Sequence, residues 1–255
     1  MGHLNYKDMG EGHPVIILHG LLGMLDNWKT IGRKLSDSYH IYLVDQRNHG
    51  KSFHSDEFSY TLLAEDLKTW MDEQGIESAH LIGHSMGGKT VMQFAQMYPD
   101  RVDKTIVVDI ATRGAIGGHQ HIFESLLAVD LSGVEKRSEV QEFLQGRGLE
   151  LGIVYFLMKN LKRDVDSGGF AWKANIESLW NNYQNILAPT QGDQPSDEPI
   201  LFIAGGNSNY ITEDDLVQIS DLFPQHLYEK IAGAGHWVHA EKPAELMEIV
   251  RNFLG

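Results

Sequence analysis

The chain has 255 residues, of which 42% are hydrophobic and 22% are charged, with 35 acidic and 21 basic side chains. These fractions are typical of globular proteins and exclude disordered and fibrous classes. The formal net charge of −14 argues against nucleic acid or an anionic membrane surface as a partner, and the lack of cysteine excludes disulfides and thiol nucleophiles.

The N-terminal segment lacks the charged and apolar regions of a signal peptide, and no apolar run has the 18 or more residues that a spanning helix needs. We therefore expect a cytoplasmic protein that is a monomer or a weak homodimer and has no membrane partner. A chain of this length can form one α/β domain.

Short apolar runs alternate with helical patterns, which is typical of a mostly parallel sheet flanked by helices. The predicted strands, in chain order, are 3–8, Val15–His19, His40–Asp45, His80–Gly83, Lys104–Ile110, Ile200–Ala204 and His226–Ile231. Apolar residues at helical spacing predict helices over 61–74, 86–98 and Glu241–Leu254.

Residues 112–188 interrupt this alternation. They contain no convincing strand, and amphipathic stretches occur around 121–130, 136–145, 149–162 and 170–187. With 8 basic and 9 acidic side chains the segment is nearly neutral, so the rest of the chain carries −13 of the net charge. We predict that 112–188 is a helical insertion over a sheet-based core formed by 1–111 and 189–255.

Residues 79–90 match two unrelated motifs. Gly83-x-Ser85-x-Gly87 has the spacing of a nucleophile elbow, a tight strand-to-helix turn that exposes a serine hydroxyl. The same segment satisfies the Walker A pattern, with Lys89 and Thr90 available for phosphate and magnesium and Asp109 as a Walker B acid.

The surrounding sequence favours the elbow. His19-Gly20-Leu21 follows an apolar strand at the position of a second oxyanion donor, so the amides of Leu21 and Met86 are the predicted oxyanion hole. Gly235-His236 lies between a strand and the last helix, where a loop can bring a general base to Ser85. A P-loop NTPase explains neither feature and is kept as a remote alternative.

Four segments resemble motifs of the α/β-hydrolase superfamily: HGLLG at 19–23, DQRNHGKS at 45–52, GHSMGGK at 83–89 and GAGHWVHAEKP at 233–243. DQRNHGKS and GGNSNY at 205–210 make the chain similar, more narrowly, to the YbfF-like esterases. The resemblance implies an α/β-hydrolase fold with a helical cap at 112–188. It also implies serine carboxylesterase activity on short-chain acyl esters without a metal or organic cofactor. Acyl thioesterase, perhydrolase and C–C hydrolase activities stay open as alternatives that use the same groups.

A histidine base needs a carboxylate to hold its tautomer. Most hydrolases of this fold take that acid from the loop after Ile200–Ala204, but here the loop has no carboxylate and Ser208 stands in its place. Asp109 ends the strand after the one that bears Ser85, at the edge of the sheet where α/β sites lie. The YbfF-like pattern implies Ser85 as nucleophile, His236 as base, Asp109 as acid and Ser208 as a hydroxyl that assists the histidine.

Candidates for the wall of the substrate pocket come from the oxyanion loop, the cap and the segment after His236: His19, Met24, Phe123, Leu127, Phe156, Trp172 and Trp237. For the cap residues among them the alternative is packing within the cap, which we favour for most. The histidine pairs His119/His121 and His49/His54 lack the spacing of a known zinc helix, so no metal site is predicted.

Overall fold

The computed structural model describes residues 2–164, 168–192 and 195–255. The strands are β1 (Tyr6–Met9), β2 (Pro14–Leu18), β3 (His40–Val44), β4 (Ala79–His84), β5 (Val102–Val108), β6 (Leu161–Arg163), β7 (Phe170–Trp172), β8 (Ile200–Gly205) and β9 (His226–Ile231).

Seven strands form one twisted layer in the order β1-β3-β2-β4-β5-β8-β9. β1 pairs with β3 in antiparallel register and the other neighbours are parallel. All six residues of β4 and of β8 are buried. Continuous apolar runs are expected where helices cover both faces of a parallel sheet. Such a sheet places its strand ends, and the loops that follow them, along one edge.

The helices are α1 (Lys29–Leu35), α2 (Tyr60–Gln74), α3 (Met86–Met97), α4 (Gln120–Leu127), α5 (Arg137–Gly146), α6 (Leu151–Met158), α7 (Ile176–Asn181), α8 (Tyr183–Leu187), α9 (Asp215–Leu222), α10 (Val238–Glu241) and α11 (Pro243–Leu254). No helix of the described ranges is both long enough and apolar enough to cross a bilayer.

Local sequence explains where the core helices begin and end. The Ser59 hydroxyl accepts a hydrogen bond from the Leu62 amide at 3.1 Å and caps α2, and Gly75 ends it in the left-handed conformation with φ of 68°. Helices α2, α3 and α9 cover one face of the sheet and α1 and α11 the other. Each leucine or isoleucine fully buried there contributes about 1.5–3 kcal/mol relative to exposure.

Helices α4 to α8 all fall within 112–188, and they form a third apolar cluster. This cluster includes Phe123 and Leu179 and packs on Leu22, Phe58 and Met86 of the sheet-based core. The two ends of the segment lie side by side, because the Ala115 amide donates to the Leu187 carbonyl at 2.8 Å and the Thr190 amide to that of Thr112 at 3.0 Å. Residues 165–167 of the predicted insertion and 193–194 of the following linker lie outside the described residues.

The structure corrects the prediction that 112–188 contains no strand. β6 and β7 form an antiparallel pair in which Leu161 is opposite Trp172. Three-residue strands are too short to show a two-residue alternation, and Phe170–Trp172 was included in a predicted helical stretch. Helix α1 was also missed, and the first strand begins three residues later than the predicted 3–8.

Candidate active site

Ser85 lies in the turn between β4 and α3, with φ of 53° and ψ of −118°. A non-glycine residue in the positive-φ region costs of order 1–3 kcal/mol and is retained where the surroundings enforce it. The turn needs its flanking glycines, since a Cβ on Gly83 would lie 2.2 Å from the Gly87 carbonyl oxygen and one on Gly87 would lie 2.6 Å from that of His19. The elbow spacing therefore produces the exposed serine hydroxyl by steric necessity.

His236 joins Ser85 to Asp109 in one hydrogen-bonded chain. Its Nδ1 lies 2.7 Å from Asp109 Oδ2 and its Nε2 lies 3.0 Å from Ser85 Oγ. Because a carboxylate only accepts, Nδ1 carries the proton and the Nε2 lone pair faces the serine hydroxyl. The Tyr210 ring stacks on the imidazole at 3.9 Å, and His84 Nε2 donates to the His236 carbonyl at 2.8 Å. Asp109 and the Tyr210 ring thus hold the imidazole, and His84 holds the backbone of the same residue.

Asp109 is fully buried and has φ of 53° directly after β5. Its Oδ1 accepts from the Gly205 amide at 2.9 Å, and its Oδ2 accepts from the Ser208 hydroxyl at 2.5 Å as well as from His236. The Ser208 hydroxyl, predicted to assist the histidine, therefore donates to the acid and shares its Oδ2 with His236.

The predicted oxyanion donors lie beside this chain of hydrogen bonds. Met86 is the first residue of α3, so its amide precedes the first intrahelical bond. Leu21 lines the adjacent cavity, and its amide has no hydrogen-bond acceptor among the described residues. Both N–H groups are therefore available to a ligand oxygen.

Two buried histidines hold the loop that carries Leu21. His19 Nε2 accepts from the Gln46 amide at 3.1 Å, and His49 Nε2 accepts from the Leu22 amide at 3.1 Å. Burial lowers the pKa of His19 to about 4 and that of His49 to about 3, so both rings stay neutral and can accept. His49 belongs to the segment DQRNHGKS at 45–52, which therefore contacts the oxyanion loop directly.

Ser85 and His236 open into a cavity of about 250 Å³ between the sheet edge and the cap. Of the candidate pocket residues, His19, Phe156 and Trp237 line it. The wall also includes residues that the sequence did not single out as pocket lining: Asn27, Trp28, Gly117, Gly118, His119, Ile122, Ile153, Leu157, Tyr210 and His239. Most of these residues belong to no recognisable sequence motif. Residues 117–122 come to face the sheet edge only through the tertiary fold, which the sequence pattern does not show.

Four predicted pocket residues lie elsewhere. Phe123 is fully buried against Trp180 in the cap core. Leu127 and Trp172 line a separate groove on the cap, and Met24 is 3% exposed and lies by the Lys173 ammonium. For the three cap residues among them, helical periodicity does not show which face of the cap a side chain occupies.

The Walker A residues have other partners. Lys89 Nζ donates to the carbonyls of Arg113 and Ala188, and the Thr90 hydroxyl donates to Gln46 Oε1 at 2.7 Å. Asp109 is bonded to His236 rather than facing a phosphate loop. The geometry of this segment fits an elbow and not a nucleotide cradle.

Comparison with known proteins agrees with the geometry. The family model described as alpha/beta hydrolase fold matches residues 13–243. The chain is 38% identical to Esterase YbfF of Escherichia coli over 97% of this chain and 95% of that protein. It is 35% identical to the mouse sn-1-specific diacylglycerol lipase ABHD11 over 94% and 80% of the two chains. A solved structure described as a marine microorganism esterase superposes with a TM-score of 0.96 at 40% identity, covering 99% of this chain and 100% of that one.

Proposed function

This chain belongs to the α/β-hydrolase family and is a carboxylic ester hydrolase, and on that premise we propose that it is a serine carboxylesterase that cleaves short-chain acyl esters through an acyl-enzyme intermediate. The observation that carries the proposal is the series of hydrogen bonds from Ser85 through His236 to Asp109, with Ser85 and His236 lining the cavity. No metal or organic cofactor takes part in the proposed steps.

The first half-reaction acylates Ser85. Its Oγ attacks the ester carbonyl carbon while His236 Nε2 takes the hydroxyl proton, and Asp109 stabilises the resulting imidazolium. The carbonyl oxygen becomes an oxyanion that accepts from the amides of Leu21 and Met86, each worth about 2.7–4 kcal/mol when aimed at the developing charge. The tetrahedral intermediate then collapses, the C–O bond to the alcohol breaks, and His236 protonates the departing alkoxide.

The second half-reaction releases the acid. Water attacks the acyl-Ser85 carbonyl, and His236 takes its proton as the same two amides bind the new oxyanion. Collapse of this intermediate breaks the bond to Ser85 Oγ and returns the proton to it. The carboxylic acid leaves and the starting hydrogen-bonded chain is restored.

The size of the cavity supports the preference for short acyl chains. Its volume of about 250 Å³ lies below the roughly 300–1,000 Å³ of typical ligand pockets. Its cap side is apolar, with Ile122, Ile153 and Phe156 facing the sheet edge. A small acyl group and a small alcohol fill such a space, whereas a long chain requires the cap to move.

The test is hydrolysis of chromogenic acetyl, butyryl and octanoyl esters by wild type and Ser85→Ala. We expect the substitution to lower kcat by several orders of magnitude, and we expect activity to fall from butyryl to octanoyl. The exposed Ser38→Ala is the matched control and should retain wild-type turnover. Near-normal turnover by Ser85→Ala contradicts the mechanism.

A serine-directed organophosphate gives an independent readout. It should add its mass to the wild-type chain and to Ser38→Ala but not to Ser85→Ala. Adding thioesters, hydrogen peroxide as acyl acceptor and C–C cleavage substrates to the panel distinguishes the three alternative activities. The cytoplasmic location and the monomeric or weakly dimeric state stay predictions from the sequence.

A further inference from the structure

Three side chains meet at the edge of the sheet opposite to Ser85, where the parallel strands begin. His13 precedes β2, His80 is the second residue of β4, and Asp103 is the second residue of β5. One potential ligand atom of each lies within 4.8 Å of the other two, and His13 Nε2 lies 2.9 Å from Asp103 Oδ2. A register shift between Ala79 and His80 brings β4 and β5 into this arrangement.

His80 lacks a partner in this cluster. The residue is 8% exposed, and its Nδ1 is buried without a hydrogen-bond partner among the described residues. Buried polar atoms are almost always paired, so a buried imidazole nitrogen without a partner needs an explanation.

Carboxylates crowd the same edge. Burial raises the pKa of Glu198, and the nearby charges of Asp103, Asp100 and Asp197 raise it further. The Ser78 hydroxyl donates to Asp103 Oδ1 at 3.1 Å, which fixes the orientation of the carboxylate that faces His13. A bound cation would relieve the repulsion and use the unpaired lone pair of His80.

We propose that His13, His80 and Asp103 bind a divalent cation of the Zn²⁺ class. Two imidazoles and one carboxylate are ligands that Zn²⁺, Ni²⁺ and Co²⁺ accept, and three protein ligands leave a fourth position for water. Ligand atoms about 2.0–2.1 Å from a tetrahedral ion lie about 3.4 Å apart. The His13–Asp103 pair, at 2.9 Å, must therefore open, while any pair near the 4.8 Å limit must close. His13 is exposed and can supply that movement.

The test titrates the full-length protein, first stripped of metal, with Co²⁺ while its visible d–d bands are recorded, and with Zn²⁺ by calorimetry. We expect one equivalent to bind and the thermal midpoint to rise. His80→Gln should weaken binding at least tenfold and abolish the rise. His40→Gln is the matched control, because His40 and Asp8 form an exposed pair at 3.0 Å, and it should bind as wild type does.

His236→Ala separates this site from the histidine–carboxylate pair beside Ser85, and binding should persist in it. Two results overturn the proposal. One is the absence of saturable binding in wild type; the other is an equivalent that survives in His80→Gln but disappears in His236→Ala. Ester hydrolysis by metal-stripped His80→Gln should equal that of wild type, because the cluster is at the far edge of the sheet.

A second inference rests on Lys89, which the elbow chemistry does not use. Lys89 lies on α3 one turn after Ser85 and is 1% exposed. Its Nζ donates to the Arg113 carbonyl at 2.6 Å and to the Ala188 carbonyl at 2.5 Å. Arg113 and Ala188 are the second and the last residue of the 112–188 segment, so the two carbonyls lie at its two ends.

The surroundings of this ammonium group show what holds it. Burial and, to a smaller extent, the charge of Arg113 together lower the pKa of Lys89 to about 7. Arg113 is itself bonded to Asp215, and the Tyr60 ring lies 5.6 Å from Nζ. A buried cation is costly unless its N–H groups are hydrogen-bonded. The bonds to the Arg113 and Ala188 carbonyls therefore stabilise the ammonium group in this position.

The same helix therefore carries the amide of Met86 and holds both ends of the cap. Gly117, His119 and Ile122, which follow Arg113 closely, line the cavity opposite Ser85. Resting on the proposed esterase function, the geometry points to Lys89 as a positioning residue that aligns the cap wall with the nucleophile. A misaligned wall should weaken substrate binding more than it slows the bond-making steps.

The test compares Lys89→Met, which keeps the chain length but removes the donors, with Lys89→Gln, which retains N–H donors. We expect Lys89→Met to raise KM for a butyryl ester several-fold with little change in kcat, and Lys89→Gln to recover part of the loss. Lys104→Met is the matched control, since Lys104 Nζ also donates to two carbonyls, those of Phe253 and Leu254. It should leave KM unchanged.

Hydrogen exchange distinguishes failure of this inference from failure of the proposed function. In Lys89→Met the amides of Ala115 and Thr190, which join the two ends of the cap, should exchange faster while β4 stays protected. Unchanged KM together with unchanged exchange overturns the role of Lys89. If the amides exchange faster in Lys89→Met but the wild type cleaves no ester, Lys89 still positions the cap, and it is the proposed function that is overturned.

Discussion

The sheet edge and the cap contribute to the cavity in different ways. At the sheet edge the acid has several fixed partners: the oxygens of Asp109 accept from an amide, a hydroxyl and an imidazole. On the cap side the wall is mainly apolar and includes two glycines, Gly117 and Gly118. Hydrogen bonds constrain position far more narrowly than apolar contacts do. The edge is therefore built for one geometry, and the cap can vary its shape with few polar penalties.

The two regions nevertheless share a boundary. The cap cluster packs on the side chains of Leu22 and Met86. Leu22 is the residue after the proposed donor Leu21, and Met86 supplies the other proposed donor itself. A substitution in the cap core can therefore weaken the alignment of the edge without touching its hydrogen bonds. The comparison predicts that edge substitutions change chemistry at nearly constant stability, while cap-core substitutions change stability first.

The largest expected effect at the edge is that of Asp109→Asn. The amide cannot hold the His236 tautomer as a carboxylate does, so kcat for a short acyl ester should fall by roughly 10³–10⁴. The asparagine oxygen can still accept from the Gly205 amide, and the Ser208 hydroxyl can rotate to accept from the new NH2 group, so the fold should persist. Steady-state kinetics with circular dichroism checks both points.

Asp214→Asn is the control, since Asp214 precedes α9 and makes no contact with His236. If activity survives in Asp109→Asn but disappears in Asp214→Asn, then Asp109 is not the acid and Asp214 is.

Phe123 and Phe156 test the division within the cap. Phe123 is fully buried against Trp180, so Phe123→Ala should cost about 3–5 kcal/mol of unfolding free energy. Phe156 lines the cavity beside Trp237, so Phe156→Ala should change the ratio of kcat/KM between butyryl and octanoyl esters at a smaller cost in stability. Urea titrations and the ester panel measure the two effects. Equal stability losses with an unchanged ester ratio contradict the division.

The sequence predicted the core better than the cap for a physical reason. The bounds of His226–Ile231 agree with the structure, and those of the other parallel strands agree to within two residues. Buried strands such as β4 and β8 have continuous apolar runs that predict them. The resemblance to the YbfF-like esterases is confirmed by the comparisons. Motifs such as GHSMGGK also fix a local geometry, since Gly83 and Gly87 have no room for a Cβ.

The rest depended on tertiary contacts that leave no local pattern. Leu127 and Phe156 are both apolar residues on short amphipathic helices, yet one lines the cap groove and the other the cavity. His13 and His80 are far apart in the chain, and only the parallel pairing of β2 with β4 brings them together. The contact of Ser208 with Asp109 also required the fold, since the spacing alone placed a hydroxyl in the loop but not its partner.

Acid should destabilise the core through its buried histidines. His19 and His49 have pKa values lowered by burial to about 4 and about 3, against 6.5 when unfolded. Below pH 6.5 the unfolded chain binds protons that the folded chain does not. The stability these groups contribute is therefore complete above pH 6.5 and is lost as pH falls towards 4, by about 1.4 kcal/mol per pH unit for each ring.

Urea unfolding across that pH range measures the slope. His49→Gln should remove about one proton from it, because an amide oxygen can still accept from Leu22 but does not titrate. The exposed His3→Gln should leave the slope as in wild type. An unchanged slope in His49→Gln means that this ring is protonated in the folded state.

The smallest expected effect separates two ways in which a serine can assist the histidine. Ser208 donates to the same Asp109 oxygen that accepts from His236, so it orients the acid without touching the imidazole. Ser208→Ala leaves the Gly205 amide on the other oxygen, and we expect kcat to fall only about tenfold, equivalent to about 1.4 kcal/mol. Steady-state kinetics against Ser38→Ala gives the measurement. A loss as large as that of Asp109→Asn would mean that the hydroxyl, rather than the carboxylate, fixes the imidazole, and that the edge is organised around the later loop.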